Sequence, residues 1–160
     1  MPDNVWNFLS FLVSDYKLGA VESFVGCESP IEQLLSLAIT EIYPMLNIPR
    51  LIQIDRIENN STVKCGSKKY RIDILIYVSY WDCEKKFAIE CDGHEFHQKT
   101  KQQVEKDNSR MRDLQEAGYT VIRFSGTEIY HEPMVCAAKI KSIIQAPALK
   151  FIEGALKNGT

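Results

Sequence analysis

Three carboxylates stand where buried strands would be expected to carry apolar side chains. Asp73 interrupts the run YRIDILIYV at Tyr70 to Val78, and Glu90 and Asp92 interrupt FAIECDGHEFH at Phe87 to His97. Runs that are hydrophobic on both faces belong in a sheet interior. Unpaired carboxylates placed there are costly unless a cation or hydrogen-bond donors compensate them. The two runs therefore describe an anionic site on a rigid sheet, and a metal ion is the ligand such a site fits.

The link Tyr80-Trp81-Asp82-Cys83-Glu84 is short enough to make the two runs a hairpin. The register that pairs Ile74 with Ile89 and Ile76 with Phe87 sets Asp73 opposite Glu90 and Arg71 opposite Asp92. Like charges opposed across antiparallel strands repel, so this register calls for a divalent cation between Asp73 and Glu90. A one-residue slip would turn the apolar sets to the wrong faces. A two-residue slip would oppose Asp73 and Asp92 instead.

The elements needed to hold such a hairpin are legible around it. Residues 4 to 17 can form a helix with Trp6, Leu9, Val13 and Tyr16 on one face. Ser29-Pro30-Ile31-Glu32 is a helix start: Ser as N-cap, Pro at the first position, Glu three residues after the cap. The helix that follows is expected to bury Ile31, Leu34, Leu35, Ala38, Ile42 and Met45. Leu51 to Ile57 reads as a strand, Asn59-Asn60 as a turn, and Thr62 to Cys65 as a second strand that turns at Gly66-Ser67. After Gly93 a polar connector leads to a helix from about Lys101 to Ala117, with Val104, Met111 and Leu114 inward and Gly118 as its stop. Tyr119 to Phe124 is a compact strand. Pro133 opens a last helix, which Pro147 is expected to end.

Bulk properties narrow the class. At 160 residues, 45% hydrophobic and 25% charged, the chain reads as one globular domain over residues 1–160. The net charge of -2 gives no global basic footprint, but its distribution is uneven. Residues 1 to 60 hold 8 acidic and 3 basic side chains; residues 61 to 160 hold 13 and 16. The basic residues lie near the acidic strands: Lys64, Lys68, Lys69 and Arg71, then Lys99, Lys101, Lys106, Arg110 and Arg112. A local patch of this kind matters more for phosphate contact than the total does, although a solvated surface of mixed charge would look the same. Five scattered cysteines without a CxxC pair argue against a disulfide framework and a zinc site, and for a reducing, cytoplasmic setting. No apolar run reaches membrane-spanning length.

The order helix, three antiparallel-capable strands, helix, strand, helix, with an Asp on the second strand and an acidic pair ending the third, resembles the PD-(D/E)xK nuclease superfamily. A longer string is similar to small domains related to the very-short-patch-repair endonucleases. It comprises Glu90-Cys91-Asp92-Gly93, His97, Asp107 and Arg110, Leu114, Gly118, Val121-Ile122-Arg123-Phe124 and Glu128-Ile129, within a core of about residues 28–146. The resemblance implies an α/β, restriction-endonuclease-like αβββαβ core: a mixed four-stranded sheet flanked by helices, with the N-terminal helix added. It implies a metal-dependent phosphodiesterase, a DNA endonuclease using Mg²⁺ or Mn²⁺, with RNA as the other substrate class and a homodimer or larger complex as an expected assembly. A catalytically weak domain that binds nucleic acid or a partner protein is the alternative.

By the same resemblance Asp73 and Glu90 hold the metal, helped by the Cys91 carbonyl and, through the first helix, by Glu32. Glu32 has an equal claim as the capping-box residue of Ser29. Asp92 stands where the superfamily carries a lysine, and is divided between metal ligation and a salt bridge with Arg71. His97 is the candidate for placing water or a phosphate oxygen, with His94 behind it. Lys99 and Lys101 are candidates for the missing lysine or for a solvated helix start. Asp107 reads as structural, while Arg110 and Arg71 are candidate phosphate contacts. Trp81, Phe96 and Tyr130 are better explained by packing than by base stacking, and His131 has no assigned role.

Overall fold

The computed structural model describes residues 26–93 and 101–158. The helix expected over residues 4 to 17, with His94, Phe96, His97 and Lys99, lies outside the described residues.

Helix α1 (Pro30–Ile42) begins where the sequence signals it. Ser29 is the N-cap: its Oγ accepts from the Glu32 N–H at 3.3 Å and donates to Glu32 Oε1 at 2.7 Å. The apolar stripe Leu35, Ala38, Ile39 and Ile42 turns inward. A 3₁₀ turn at Tyr43–Met45 rotates the chain after it. Leu46 is therefore buried and Met45 is half exposed, the reverse of the expectation for Met45.

Four strands follow: β1 (Ile52–Cys65), β2 (Lys68–Tyr80), β3 (Glu84–Asp92) and, after helix α2 (Lys101–Glu116), β4 (Tyr119–Ser125). They form one mixed sheet in the order β1-β2-β3-β4, antiparallel until the final parallel pair of β3 with β4. Two short strands had been expected where β1 runs unbroken. Asn59 pairs with Ile74, and Asn60 takes a positive φ of 50° without leaving the strand. Asn tolerates that conformation, and the Asn60 side-chain amide is held by the Gly26 carbonyl and Glu32. Tertiary anchoring thus keeps within the strand a residue pair whose composition favours a turn.

The hairpin register is the expected one, with Ile74 on Ile89 and Ile76 on Phe87. Its ladder stops at Ile74–Ile89, one step short of Asp73 and Glu90. Both faces of the sheet are covered, which is why β2 and β3 read as continuous apolar runs. On one face α1, α3 (Gly126–His131) and α4 (Pro133–Asn158) enclose Ile74, Ile76, Phe87, Ile89 and Phe124, with Ile140 and Ile144 from α4. On the other, Leu114 of α2 packs with Val63, Cys65, Ile72, Leu75 and Ala88. Leu114 is the only buried residue of α2; Val104, expected inward, is exposed. Gly118 ends α2 with a φ of 83°, a backbone region that favours glycine.

Helix α4 does not end at Pro147 but continues through it to Asn158. A proline inside a helix forfeits a backbone bond, and here packing offsets that loss. Ala148 and Ile144 are fully buried, and the Tyr80 hydroxyl donates to the Ile144 carbonyl at 2.6 Å. Farther along, Phe151 stacks on Trp81 with ring centroids 4.7 Å apart, consistent with a packing role for that tryptophan. Among the described residues no helix is long and apolar enough to cross a membrane.

Candidate metal and phosphate site

The acidic residues gather where β2 and β3 run past the end of their shared ladder. Side chains alternate across a strand, so Glu90 follows Ala88 onto the face covered by α2, where Arg110 meets it. Asp73 is half-buried, and its Oδ2 accepts from the Cys91 N–H at 2.7 Å. Burial raises its pKa above the usual carboxylate range; the Cys91 bond lowers it in part, and the Glu32 charge adds to the rise. Glu90 is buried, and desolvation pushes its pKa up to about 7. Arg110 opposes that rise and Asp73 adds to it. Both carboxyls are thus destabilised as anions, chiefly by burial and in part by a neighbouring acid, Glu32 for Asp73 and Asp73 for Glu90.

Arginines from two elements answer this charge. Arg110 of α2 donates through Nη2 to Glu90 Oε1 at 2.8 Å and also to the Arg71 carbonyl. Arg123 of β4 grips Asp92 with both ends of its fork, Nε to Oδ2 at 2.9 Å and Nη2 to Oδ1 at 2.6 Å. The parallel register accounts for this, because β4 lies beside β3 with Arg123 level with Glu90 and Ser125 level with Asp92. Arg71 was the partner expected for Asp92. It instead pairs with Glu28 at 2.6 Å in an exposed salt bridge. Cross-strand reasoning on the hairpin had no access to β4, which supplies the closer cation.

Glu32 reaches this region from the opposite layer. It is buried, completes the Ser29 cap, and accepts from the Glu28 N–H at 2.9 Å and from Asn60 Nδ2 at 3.2 Å. Its capping role is real, and its charge is felt at both Asp73 and Cys91. Burial, with Asp73 and Glu32 nearby, raises the Cys91 thiol pKa far above its usual value, so Cys91 offers backbone groups rather than a thiolate. Lys101 is exposed at the first position of α2, and Asp107 lies partly buried one turn before Arg110. Glu128 is occupied by the capping box of α3, where its carboxylate accepts from the Ser125 N–H at 2.9 Å. Gly126 packs closely beside it: a Cβ there would sit 3.3 Å from the Asp92 carbonyl, a tight contact.

Among the described residues no three His, Cys, Asp or Glu side chains stand close enough to hold a metal ion by themselves. The donors at hand are the oxygens of Asp73 and Glu90, with Glu32 within electrostatic reach. That set fits Mg²⁺, which commonly takes one or two carboxylates and completes its shell with water and substrate phosphate. A larger hollow of about 440 Å³, lined by Asn47, Arg50, Gln53 and Trp81 among others, contains no acidic residue and lies apart from this chemistry.

A mixed sheet bearing carboxylates on adjacent central strands, with helices on both faces, is the architecture of a restriction-endonuclease-like domain. Residues 51–144 match REase_MTES_1575, a restriction-endonuclease-like family, and the chain belongs to that family. The matched span includes Asp73, Glu90, Asp92, Arg110 and Arg123, and begins after α1, so Glu32 lies outside it. Neither characterised proteins nor solved structures gave a match.

Proposed function

We propose that the protein is a metal-dependent phosphodiesterase, a DNA endonuclease of the PD-(D/E)xK type related to the very-short-patch-repair enzymes. The observation that carries this reading is the buried Glu90 carboxyl, poised near neutrality next to Asp73 at the end of the central hairpin. Adjacent acids whose pKa values are raised by burial are candidates for function. Asp73 and Glu90 hold the cation, with the Cys91 carbonyl as a third donor and Glu32 acting through water. A bound Mg²⁺ or Mn²⁺ supplies charge neutralisation at phosphate and a more acidic water.

The chain's own residues do the rest. Arg123 fixes Asp92 so that its charge faces the site at constant geometry. His97 and Lys99 handle protons or a phosphate oxygen, while Lys101, Arg71 and Arg110 contact the backbone of the nucleic acid. Cleavage of supercoiled plasmid, single-stranded DNA and RNA, compared in Mg²⁺, Mn²⁺ and EDTA, tests the reading. Wild type should cleave DNA only with metal, and Asp73→Asn should not. Equal cleavage by both proteins would place the activity elsewhere.

One observation favours a second reading, a nuclease-like domain that binds nucleic acid or a partner protein and cleaves poorly. Asp92 occupies the position of the superfamily's lysine, and its two oxygens are taken by Arg123. Metal-dependent DNA binding without cleavage under every condition would support it.

A further inference from the structure

Arg110 is placed to do two jobs, and the geometry lets it do one at a time. The Glu90 side chain is 9% exposed and the Arg110 side chain 33%. A single nitrogen, Nη2, serves both the Glu90 carboxylate and the Arg71 carbonyl. Its Nε is buried without a hydrogen-bond partner among the described residues, beside a hollow of about 10 Å³ bounded by Glu90, Asp107, Met111 and Arg123 among others. Such a hollow holds a single water at most. A guanidinium offers five donors in a rigid fork suited to carboxylate and phosphate. Here one donor nitrogen is shared and another is buried unused, so the fork is under-employed in this position.

Building on the metal-dependent reading above, we propose that Arg110 is a transferable clamp. It neutralises Glu90 in the metal-free protein and passes to a substrate phosphate when Glu90 ligates a divalent cation. Three physical points support the exchange. Once ionised, a buried carboxylate needs a cation, and among the described residues Arg110 is the one that forms a salt bridge with it. A guanidinium and a dication on one carboxylate repel each other, so the arrival of one loosens the other. The freed fork stands beside the carboxylates that would hold the metal, where a bidentate grip on phosphate is the natural use of its unspent donors. The arrangement also gives a basic group to a site whose third strand lacks the lysine.

The test follows the arginine itself. In ¹⁵N-labelled protein, the Arg110 Nε–H signal is assigned by its loss in Arg110→Gln, and Mg²⁺ is titrated while the Cys91 amide reports on the site. Arg110 Nε–H is expected to shift and to exchange faster with solvent as the Cys91 amide titrates. Arg110→Gln should bind Mn²⁺ roughly tenfold tighter than wild type, measured at alkaline pH to limit proton competition at Glu90, and should bind DNA more weakly in Ca²⁺. Arg110→Lys, which keeps the charge without the fork, should return metal affinity toward wild type without restoring DNA affinity. An Arg110 signal that stays fixed while Cys91 titrates would overturn the exchange, as would Mn²⁺ affinity no higher in Arg110→Gln. If neither signal responds in wild type and Mn²⁺ does not bind, the metal reading itself fails and takes this proposal with it.

Discussion

Replacing Glu90 by Gln should change how stability depends on pH, and the sign follows from its environment. Desolvation raises the Glu90 pKa from the usual 4.5 to about 7. Between those values the folded protein keeps a proton that the unfolded chain has lost. The stability contributed by neutral Glu90 is therefore fully present below the unfolded value, and is lost as pH rises to the folded one. The displacement corresponds to about 3 kcal/mol, an order-of-magnitude figure for this nearly buried group. In a domain of this size that is roughly 6 to 12 °C in Tm. Asp73 shifts in the same direction, whereas Glu58, Asp113 and Glu128 are lowered and act at more acidic pH. Thermal unfolding in EDTA, followed by circular dichroism across this range, should show wild type losing stability toward alkaline pH. Glu90→Gln should show a much flatter profile and a higher Tm at the alkaline end. Mg²⁺ should raise the alkaline Tm of wild type but not of the variant. Parallel pH profiles for the two proteins would refute the burial argument.

Other substitutions test the supporting structure. Arg123→Ala leaves Asp92 partly buried without its bidentate partner and should cost about 2 kcal/mol in urea denaturation; Asp92→Asn combined with Arg123→Gln should recover part of that loss. Ser29→Ala removes the N-cap of α1 at a cost of about 1 kcal/mol, whereas Glu32→Gln should leave stability nearly unchanged and weaken Mg²⁺ binding in calorimetry. Tyr80→Phe abandons the Ile144 carbonyl beside Pro147 and should lower stability by about 1 to 2 kcal/mol, with faster amide exchange around Ala148 as the local readout.

The hairpin and its carboxylates were legible because period and pairing are local properties. The register of Tyr70 to Val78 against Phe87 to Asp92 that pairs Ile74 with Ile89 and Ile76 with Phe87 is one of the few that keep apolar residues matched, and the sheet adopts it. The caps at Ser29 and Gly118 were equally local, since each depends on backbone geometry within a few residues. The same reasoning misjudged Asn59-Asn60 and Pro147, where residue types that favour a turn or a helix end are overruled by contacts from distant segments. Gly26 and Glu32 hold Asn60 in β1, and a buried interface carries α4 past its proline.

The sequence by itself determined that acidic groups would sit on the central strands of a mixed sheet, because apolar alternation dictates burial and burial of Asp73 and Glu90 demands a compensating cation or hydrogen-bond donor. Only the tertiary structure decided which cation answers each acid. Arg123 reaches Asp92 because β4 lies parallel beside β3, and Arg110 reaches Glu90 because Leu114 seats α2 on that face. Those pairings join residues 20 and 31 positions apart along the chain. No periodicity encodes them; they follow from how helix and strand dock once the core has closed.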